Sequence, residues 1–351
     1  MPEPYRRSAV SGIQRGKNMR IISLAENTEG KSNCQAEHGL CFYIETDRHK
    51  ILMDTGQSDL FLCNAEKLGI DLAKVDTVVL SHGHYDHGGG LLPFAKVNPS
   101  ARIYVHKDAF GAFYSRGSGE EIRYIGLDPE VRSIPSLVIT GEKADGAEEE
   151  GIYRIDEELS IFSGIGNRHP IPSANDRILA ETEEGMVRDD FSHEQCLVVM
   201  EGTGSVLLSG CAHHGILNVL DRFRDLYHKN PDAVISGFHM NKKNGLYTGD
   251  DLCMIIDTAL ELKKTGIDFY TGHCTGKEPF EAMKKIMGDR LTYVHCGDEI
   301  CFAGQTDGGE EQKKAEDAEK KRKSYMKNHK FWAWATVTCF LMTMWTGYKR
   351  K

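Results

Sequence analysis

The sequence has little proline, no hydrophobic leader and no excess of positive charge, and each absence limits what the chain can be. Of 351 residues, 10 are proline and 36 are glycine, and hydrophobic residues make up 40%, so neither a fibrous repeat nor global disorder is indicated. The net charge of -9 argues against binding nucleic acid through a basic surface. We therefore expect a globular protein that acts on a small-molecule substrate.

The N-terminus lacks the apolar run that a secretory signal requires. Residues 1–18 are polar and basic, and we interpret them as a disordered leader. The ten cysteines are scattered along the chain without a closely paired spacing, as is typical of reduced thiols. These features predict a cytoplasmic catalytic domain without a disulfide framework.

The composition changes after residue 304. Residues 305–330 are mostly charged and have no sustained apolar face, which indicates a solvated linker. Residues 331–348 carry no charge, have aromatic residues near both ends and are flanked by lysine and arginine, a pattern typical of a short membrane anchor. An interfacial helix or a hydrophobic tag is the alternative, because this length is at the lower limit for spanning a bilayer. The catalytic domain is predicted at 19–304.

Short apolar strands alternate with amphipathic helices in the catalytic domain. Residues 108–190, which are rich in glycine and acidic residues, are interpreted as loops and small strands on the substrate side. The pattern predicts an α/β fold with helices outside packed sheets. The clearest predicted strands are 19–24, 40–46, 77–80 and 196–200, and the clearest predicted helices are 216–229 and 252–264.

The strongest signal is a run of potential metal ligands directly after the strand at 77–80. The run contains His82, His84, Asp86 and His87. Imidazole nitrogens and carboxylate oxygens bind borderline divalent ions, and a loop at the end of a strand can direct all of these side chains toward one point. We therefore predict a metal centre at this loop, with room for two ions.

The spacing His-x-His-x-Asp-His after an apolar strand, with an Asp-Thr-Gly turn at residues 54–56, closely resembles the metallo-β-lactamase superfamily. The resemblance covers roughly residues 19–302 and implies a four-layer αββα sandwich. It also implies that His82 and His84 bind a first metal ion, and that Asp86 and His87 bind a second.

The same resemblance assigns ligands from the second half of the chain. His213 is assigned to the first ion and His273 to the second, and each follows an apolar strand. The superfamily usually has a bridging aspartate where this chain has Cys211. Three alternatives stay open there: a thiolate ligand, a buried structural thiol, or coordination taken over by His213. His193 competes with His213 for the first ion.

Short stretches at 36–40, 210–213, 237–240 and 273–276 are similar to a subgroup, the dihydropterin ribofuranosyl-aminobenzene-phosphate synthase-like hydrolases. By this similarity, Glu37, His38 and His239 become candidates for substrate contact or for support of the metal ligands, with a purely structural role as the alternative. Asp54 is expected to brace the histidine loop, because metal-binding imidazoles donate their free N–H to an oxygen, with a plain turn residue as the alternative.

The resemblance implies a metal-dependent hydrolase with two divalent ions, for which zinc is preferred over iron or manganese. In such a centre a metal-bound hydroxide attacks a phosphoester or another activated ester, and Asp86 orients the water and carries a proton. Two other functions stay open. One is an enzyme that condenses a pterin with an aryl ribofuranosyl phosphate, and the other is a metal-containing sensor that binds its ligand without turnover.

Overall fold

The computed structural model describes residues 18–303, except 31, 118, 120, 142–150, 203 and 243–244. All of these residues belong to the first of two compact units, Met1–Gly304. The predicted linker and tail, and the predicted leader up to residue 17, lie outside the described residues. Among the helices that are described, none is both long and apolar enough to cross a membrane.

The elements alternate along the chain as an α/β fold requires. The strands are β1 (Asn18–Ala25), β2 (Cys41–Glu45), β3 (Lys50–Met53), β4 (Thr77–Val79), β5 (Arg102–His106), β6 (Phe113–Arg116), β7 (Ile122–Tyr124), β8 (Leu137–Thr140), β9 (Ile152–Arg154), β10 (Leu159–Phe162), β11 (Ile178–Thr182), β12 (Gly185–Arg188), β13 (Cys196–Glu201), β14 (Gly204–Leu208), β15 (Ala233–Ile235), β16 (Asp268–Thr271), β17 (Leu291–Tyr293) and β18 (Glu299–Ala303). The α-helices are α1 (Leu60–Lys67), α2 (Tyr85–Gly88), α3 (Leu91–Val97), α4 (Ile216–Tyr227), α5 (Gly249–Thr265) and α6 (Lys277–Met287).

Two seven-stranded sheets form the centre of the molecule. The first has the order β18-β1-β2-β3-β4-β5-β8, and the second has the order β17-β16-β15-β14-β13-β10-β9. Strands β3, β4, β5 and β8 run parallel to one another, as do β14, β15, β16 and β17. In each parallel set the carboxyl ends of the strands therefore meet at one edge of the sheet.

The alternation of side chains along the strands of the two large sheets creates a central core and two outer cores, and a smaller cluster lies at the third sheet described below. Phe42 and Ile44 of β2 face a central core between the sheets, whereas Tyr43 faces an outer core that includes residues of α1 and α3. In β14, Leu208 faces the central core and Leu207 faces a second outer core with α4, α5 and α6. The layers therefore follow the order helix, sheet, sheet, helix, and the α/β prediction is confirmed.

The segment 108–190 contains more structure than its composition indicated. It contributes β8, β9 and β10 to the two large sheets, and it forms the whole of a third, four-stranded sheet with the order β12-β11-β6-β7. All residues of β7 and β12 are exposed, so these strands lack the apolar alternation that marks a buried strand in sequence. Helices α4 and α5 lie where they were predicted, with bounds that differ by at most three residues.

Candidate metal centre

Loops at the carboxyl ends of parallel strands bring the predicted ligands together. Asp54 follows β3, the histidine motif follows β4, Cys211 and His213 follow β14, and His273 follows β16. The two large sheets thus contribute to one site, although the motifs are far apart in sequence. Five predicted ligands have side chains that are at most 3% exposed: His82, His84, His87, His213 and His273.

His82, His84 and His213 form the first ligand group, with ligand atoms within 4.8 Å of one another. The hydrogen-bond network assigns the tautomers of two of them. Nδ1 of His82 donates to the hydroxyl of Ser81 at 2.8 Å, and Nδ1 of His213 donates to Oδ1 of Asn175 at 2.8 Å. The Nε2 atoms of His82 and His213 then carry bare lone pairs, and they lie 3.3 Å apart. Two facing lone pairs at this distance repel each other unless a cation lies between them, so this group fits a divalent ion.

A second group contains Asp86, His87 and His273. Nδ1 of His87 donates to Oδ2 of Asp54 at 2.6 Å, and its Nε2 lies 3.9 Å from Oδ2 of Asp86. Nδ1 of His273 donates to Oδ1 of Asn27 at 2.8 Å, and its Nε2 lies 3.4 Å from the same carboxylate oxygen. The Nε2 of His273 is buried without a hydrogen-bond partner among the described residues. The second group therefore also has donor atoms that fit a metal ion.

Two predicted residues flank these groups. His38 Nε2 lies 3.2 Å from Oδ2 of Asp86, and its side chain is 53% exposed, so it links this carboxylate to solvent. The Cys211 sulfur lies 3.2 Å from Nε2 of His87 and within reach of His82. Cys211 therefore lies next to ligands assigned to both ions, where the superfamily usually has its bridging aspartate.

The two histidines that compete for the first ion have different hydrogen-bond partners. Nδ1 of His193 accepts a hydrogen bond from the backbone N–H of Gly83 at 3.0 Å, and its Nε2 lies 3.2 Å from Oδ2 of Asp189. Both ring nitrogens of His193 thus have protein partners. His213, in contrast, turns a bare nitrogen toward His82.

The protonation states favour metal binding by the first group. Burial lowers the pKa of the His82 and His213 imidazoles well below the ordinary value, so both are neutral and keep a lone pair. Burial alone would raise the pKa of Asp86, but the neighbouring His87, His273 and His38 hold it well below its usual range. Asp86 is therefore an anion.

Backbone strain is concentrated around this site. A positive φ costs a non-glycine residue of order 1–3 kcal/mol and persists where the surrounding structure enforces it. Of the six described non-glycine residues with positive φ, only His228 is not part of the site or in contact with it. The other five are Asp54 (61°), Phe191 (56°), Ala212 (49°), His239 (47°) and His273 (49°). The Phe191 ring is stacked on His213, with ring centroids 4.4 Å apart.

A cavity of about 220 Å³ opens onto the two groups. His239 lines it, and both of its ring nitrogens are buried without hydrogen-bond partners among the described residues. Glu37 does not line the cavity; its carboxylate accepts hydrogen bonds from the hydroxyl and backbone N–H of Ser58 instead. Other lining residues are Asn27, His38, His84, Tyr85, Asp86, Arg123, Arg177, Cys211, His213, Asn241, His273 and Cys274.

Sequence reasoning identified Asp54 but missed the other residues that support the ligands. Glu194 accepts a hydrogen bond from the backbone N–H of His213 at 2.7 Å, and Glu26 accepts one from the backbone N–H of His273 at 2.6 Å. Glu26 and Asn27 directly follow β1, so the rule that polar chemistry follows strand ends could have identified them. Asn175 had no comparable signal, because it lies in a single helical turn far from any motif.

Comparisons with known proteins agree with this geometry. The family model for the metallo-beta-lactamase superfamily matches residues 35–250. A curated protein of Methanocaldococcus jannaschii, 7,8-dihydropterin-6-methyl-4-(beta-D-ribofuranosyl)-aminobenzene-5'-phosphate synthase, is 28% identical over 81% of this chain and 97% of its own length. An uncharacterized protein of the same organism is 29% identical over 79% of this chain and 98% of its own.

Among solved structures, a metal-dependent hydrolase of the beta-lactamase superfamily is similar to this chain, with a TM-score of 0.65 and 29% identity. The match covers 80% of this chain and 98% of that one. The family match extends over more than half of the sequence and includes the histidine motif. This chain belongs to the metallo-beta-lactamase superfamily.

Proposed function

We propose that the chain is a metal-dependent hydrolase that cleaves a phosphoester or another activated ester. In this proposal His82, His84 and His213 hold the first ion, and Asp86, His87 and His273 hold the second. The observation that carries it is the pair of bare Nε2 atoms of His82 and His213, which lie 3.3 Å apart in a buried site. A donor set of imidazole and carboxylate, with a thiol nearby, favours zinc.

Divalent ions bound there would lower the pKa of a water molecule and polarise the ester bond that it attacks. The chain's own residues then orient the water and move protons. Asp86 is an anion at the cavity wall, where its carboxylate can orient the water and accept its proton. His38 contacts the same carboxylate oxygen and reaches solvent, so it can pass that proton out of the site.

Asp54 and Asn175 act as positioning residues. Asp54 accepts hydrogen bonds from the N–H of His87 and the hydroxyl of Ser81, and Asn175 accepts one from the N–H of His213. These bonds fix the tautomers that leave Nε2 free for a metal ion. In this proposal His213 is the ligand, and Cys211 is a buried thiol beside the ligands.

A second candidate function is the condensation of a pterin with an aryl ribofuranosyl phosphate. The observation that favours it is the synthase of M. jannaschii, to which this chain is similar over nearly the whole length of that protein. The same ions would act there as Lewis acids on the phosphate-bearing substrate.

The experiment combines metal analysis with a substrate screen. We expect the purified protein to contain divalent metal and to hydrolyse p-nitrophenyl phosphate, bis-p-nitrophenyl phosphate or p-nitrophenyl acetate. Exhaustive chelation should abolish turnover, and reloading with zinc, manganese or iron should restore it. His84→Ala and His273→Ala should each reduce the metal content, while Cys63→Ser, an exposed cysteine of α1, should leave it unchanged.

The competing functions give different results in the same screen. Full turnover after chelation would contradict the metal-dependent hydrolase. Turnover only when a pterin and an aryl ribofuranosyl phosphate are supplied together would favour the condensing enzyme. Bound metal with no turnover of any substrate would favour a sensor.

A further inference from the structure

Two arginines line the cavity beside the proposed metal ligands. Arg123 lies in β7 and Arg177 directly precedes β11, so both belong to the third sheet or its margin. The cavity walls therefore combine two kinds of side chain: imidazoles and a carboxylate from the loops of the large sheets, and two guanidinium groups from the segment 113–188. Neither arginine has a role in the mechanism described above.

Arg177 is half-buried, and its Nε is fully buried without a hydrogen-bond partner among the described residues. It forms no ion pair with any described carboxylate. Burial lowers the pKa of Arg177, and repulsion from Arg123 lowers it further, but a guanidinium stays charged at neutral pH. A buried charged donor without an acceptor is unfavourable, and such a group usually has a partner that the protein itself does not supply.

Arg123 is exposed and is held by Tyr85. Its Nη2 donates to the Tyr85 hydroxyl at 3.1 Å, and its guanidinium carbon lies 5.0 Å from the centroid of that ring. This is the only hydrogen bond of its side chain within the described residues. Because Tyr85 directly precedes Asp86, the contact ties the guanidinium to the loop that carries the proposed ligands.

Several other described arginines have acidic partners. Arg20 pairs with Glu299, Arg168 with Asp225 and Arg290 with Asp268. The two cavity arginines lack such partners, although their mutual repulsion is felt in the pKa of Arg177. Two neighbouring cations that are not ion-paired with a described carboxylate form a site that attracts an anionic ligand.

We propose that Arg123 and Arg177 bind the phosphate group of the substrate, so that the hydrolase acts on phosphate esters in preference to neutral esters. This inference rests on the proposed function. Guanidinium groups suit the task because their planar N–H donors match phosphate oxygens in pairs. The cavity, at about 220 Å³, is smaller than the roughly 300 Å³ at which sites for drug-sized ligands begin, so it takes the phosphate-bearing end of a substrate.

The first test measures binding without turnover. Titration calorimetry of the metal-containing protein with inorganic phosphate should give a dissociation constant that rises about tenfold or more in Arg177→Ala, and less in Arg177→Lys, since charge-assisted hydrogen bonds contribute about 1.5–3 kcal/mol. Arg123→Ala should also weaken binding. Arg116→Ala is the matched control, because Arg116 is exposed on β6 of the same sheet and does not line the cavity.

The second test compares two substrates. In Arg177→Ala the KM for p-nitrophenyl phosphate should rise about tenfold, while kcat/KM for the neutral p-nitrophenyl acetate should stay within about twofold of the wild-type value. Equal losses for both substrates would indicate a structural role and overturn the inference. So would unchanged phosphate binding in both arginine variants.

The remaining outcomes separate the inference from the function on which it rests. If acetate binds as tightly as phosphate and loses the same factor in Arg177→Ala, the site binds anions without preference for phosphate and the phosphate assignment is wrong. If only the neutral ester is turned over and phosphate does not bind, the hydrolase stands and the inference fails. If no substrate is turned over, the proposed function fails, and the phosphate titrations still decide whether the arginines bind the anion.

Discussion

A histidine can bind a metal ion only if one ring nitrogen keeps its lone pair, and its neighbours decide whether it does. Around this centre the neighbours are oxygen atoms of Ser81, Asn175, Asp54 and Asn27, each of which contacts an Nδ1. His193 differs, because a backbone N–H takes up its Nδ1 lone pair. Whether a histidine can be a ligand therefore depends on the hydrogen-bond partners of its ring nitrogens, and most of these partners are distant in sequence.

This difference leads to a prediction about metal content. His213→Ala should lose one metal ion, because its bare Nε2 faces the first group at 3.3 Å from Nε2 of His82. His193→Ala should keep the full stoichiometry, since both of its ring nitrogens have protein partners. Elemental analysis of the two purified variants provides the measurement.

Cys211→Ser is the third variant whose metal content should be measured. If Cys211 is a buried thiol beside the site, this variant should retain the metal that His213→Ala loses. Loss of metal in Cys211→Ser together with full retention in His213→Ala would reverse the assignment of the two residues.

The sequence predicted the candidate ligands better than the residues that orient them. His82, His84, Asp86 and His87 occur within six positions, so their spacing alone indicates a common target. Apart from Ser81 beside His82, the partners of the ligands come from other parts of the chain, and Asn175 is 38 residues away from His213. Such pairs are set by tertiary packing, and no local pattern encodes them.

At the scale of elements, the site depends on how closely the loop after β14 approaches the loop after β4. Gly210 is the point of closest approach, because a Cβ atom there would overlap the Ser81 hydroxyl, which orients His82. The neighbouring Cys211 and Ala212 are fully packed, and Ala212 has a positive φ, so the loop has little freedom to move away.

Gly210→Ala should therefore weaken metal binding by displacing Ser81 and turning the His82 ring. We expect metal affinity to fall about tenfold or more, as for other changes to the supporting residues of a metal site. Competition with a chromophoric chelator measures the affinity. Gly249→Ala is the control, since a Cβ at this first residue of α5 has open space around it. Equal affinity in the two variants would show that the close approach is unimportant.

Local sequence predicts some helices and strands better than others. Helix α4 has one apolar face on a packed core, and this leaves a clear helical period. Helix α5 places Ile255, Ala259 and Leu262 on the same core, although Leu252, Ile256 and Leu260 are exposed. The third sheet has no such pattern, because the residues of β7 and β12 are exposed. Its strands are specified by pairing with one another, which is not visible in a window of local sequence.

At the scale of the whole molecule, His49 links the two large sheets. It lies in the turn between β2 and β3, and its ring nitrogens contact Asp76, before β4 of the first sheet, and Asp156, before β10 of the second, at 2.9 and 2.7 Å. Burial disfavours the charged imidazole, but the two carboxylates outweigh it, and the pKa of His49 is raised.

A raised pKa gives this link a defined pH dependence. Charged His49 stabilises the fold fully below the ordinary histidine pKa of 6.5, and the contribution is lost as the pH rises through the higher pKa of the folded state. The difference in unfolding free energy between wild type and His49→Asn should therefore shrink between about pH 5.5 and about pH 8.5. Urea unfolding at several pH values measures it, and a difference that grows with pH would contradict the link.

The large sheets and the third sheet contribute different residues to the site, and this has a consequence for how the protein can evolve. Every proposed metal ligand comes from loops of the two large sheets, whereas the third sheet and its margin supply the two arginines that line the cavity. Mutations of the third-sheet strands and of Arg177 can alter what is recognised while the ligands stay in place, because Asn175, which orients His213, is left unchanged. We expect a randomised library confined to these positions to yield new substrate preferences more often than an equal library spread over the ligand loops.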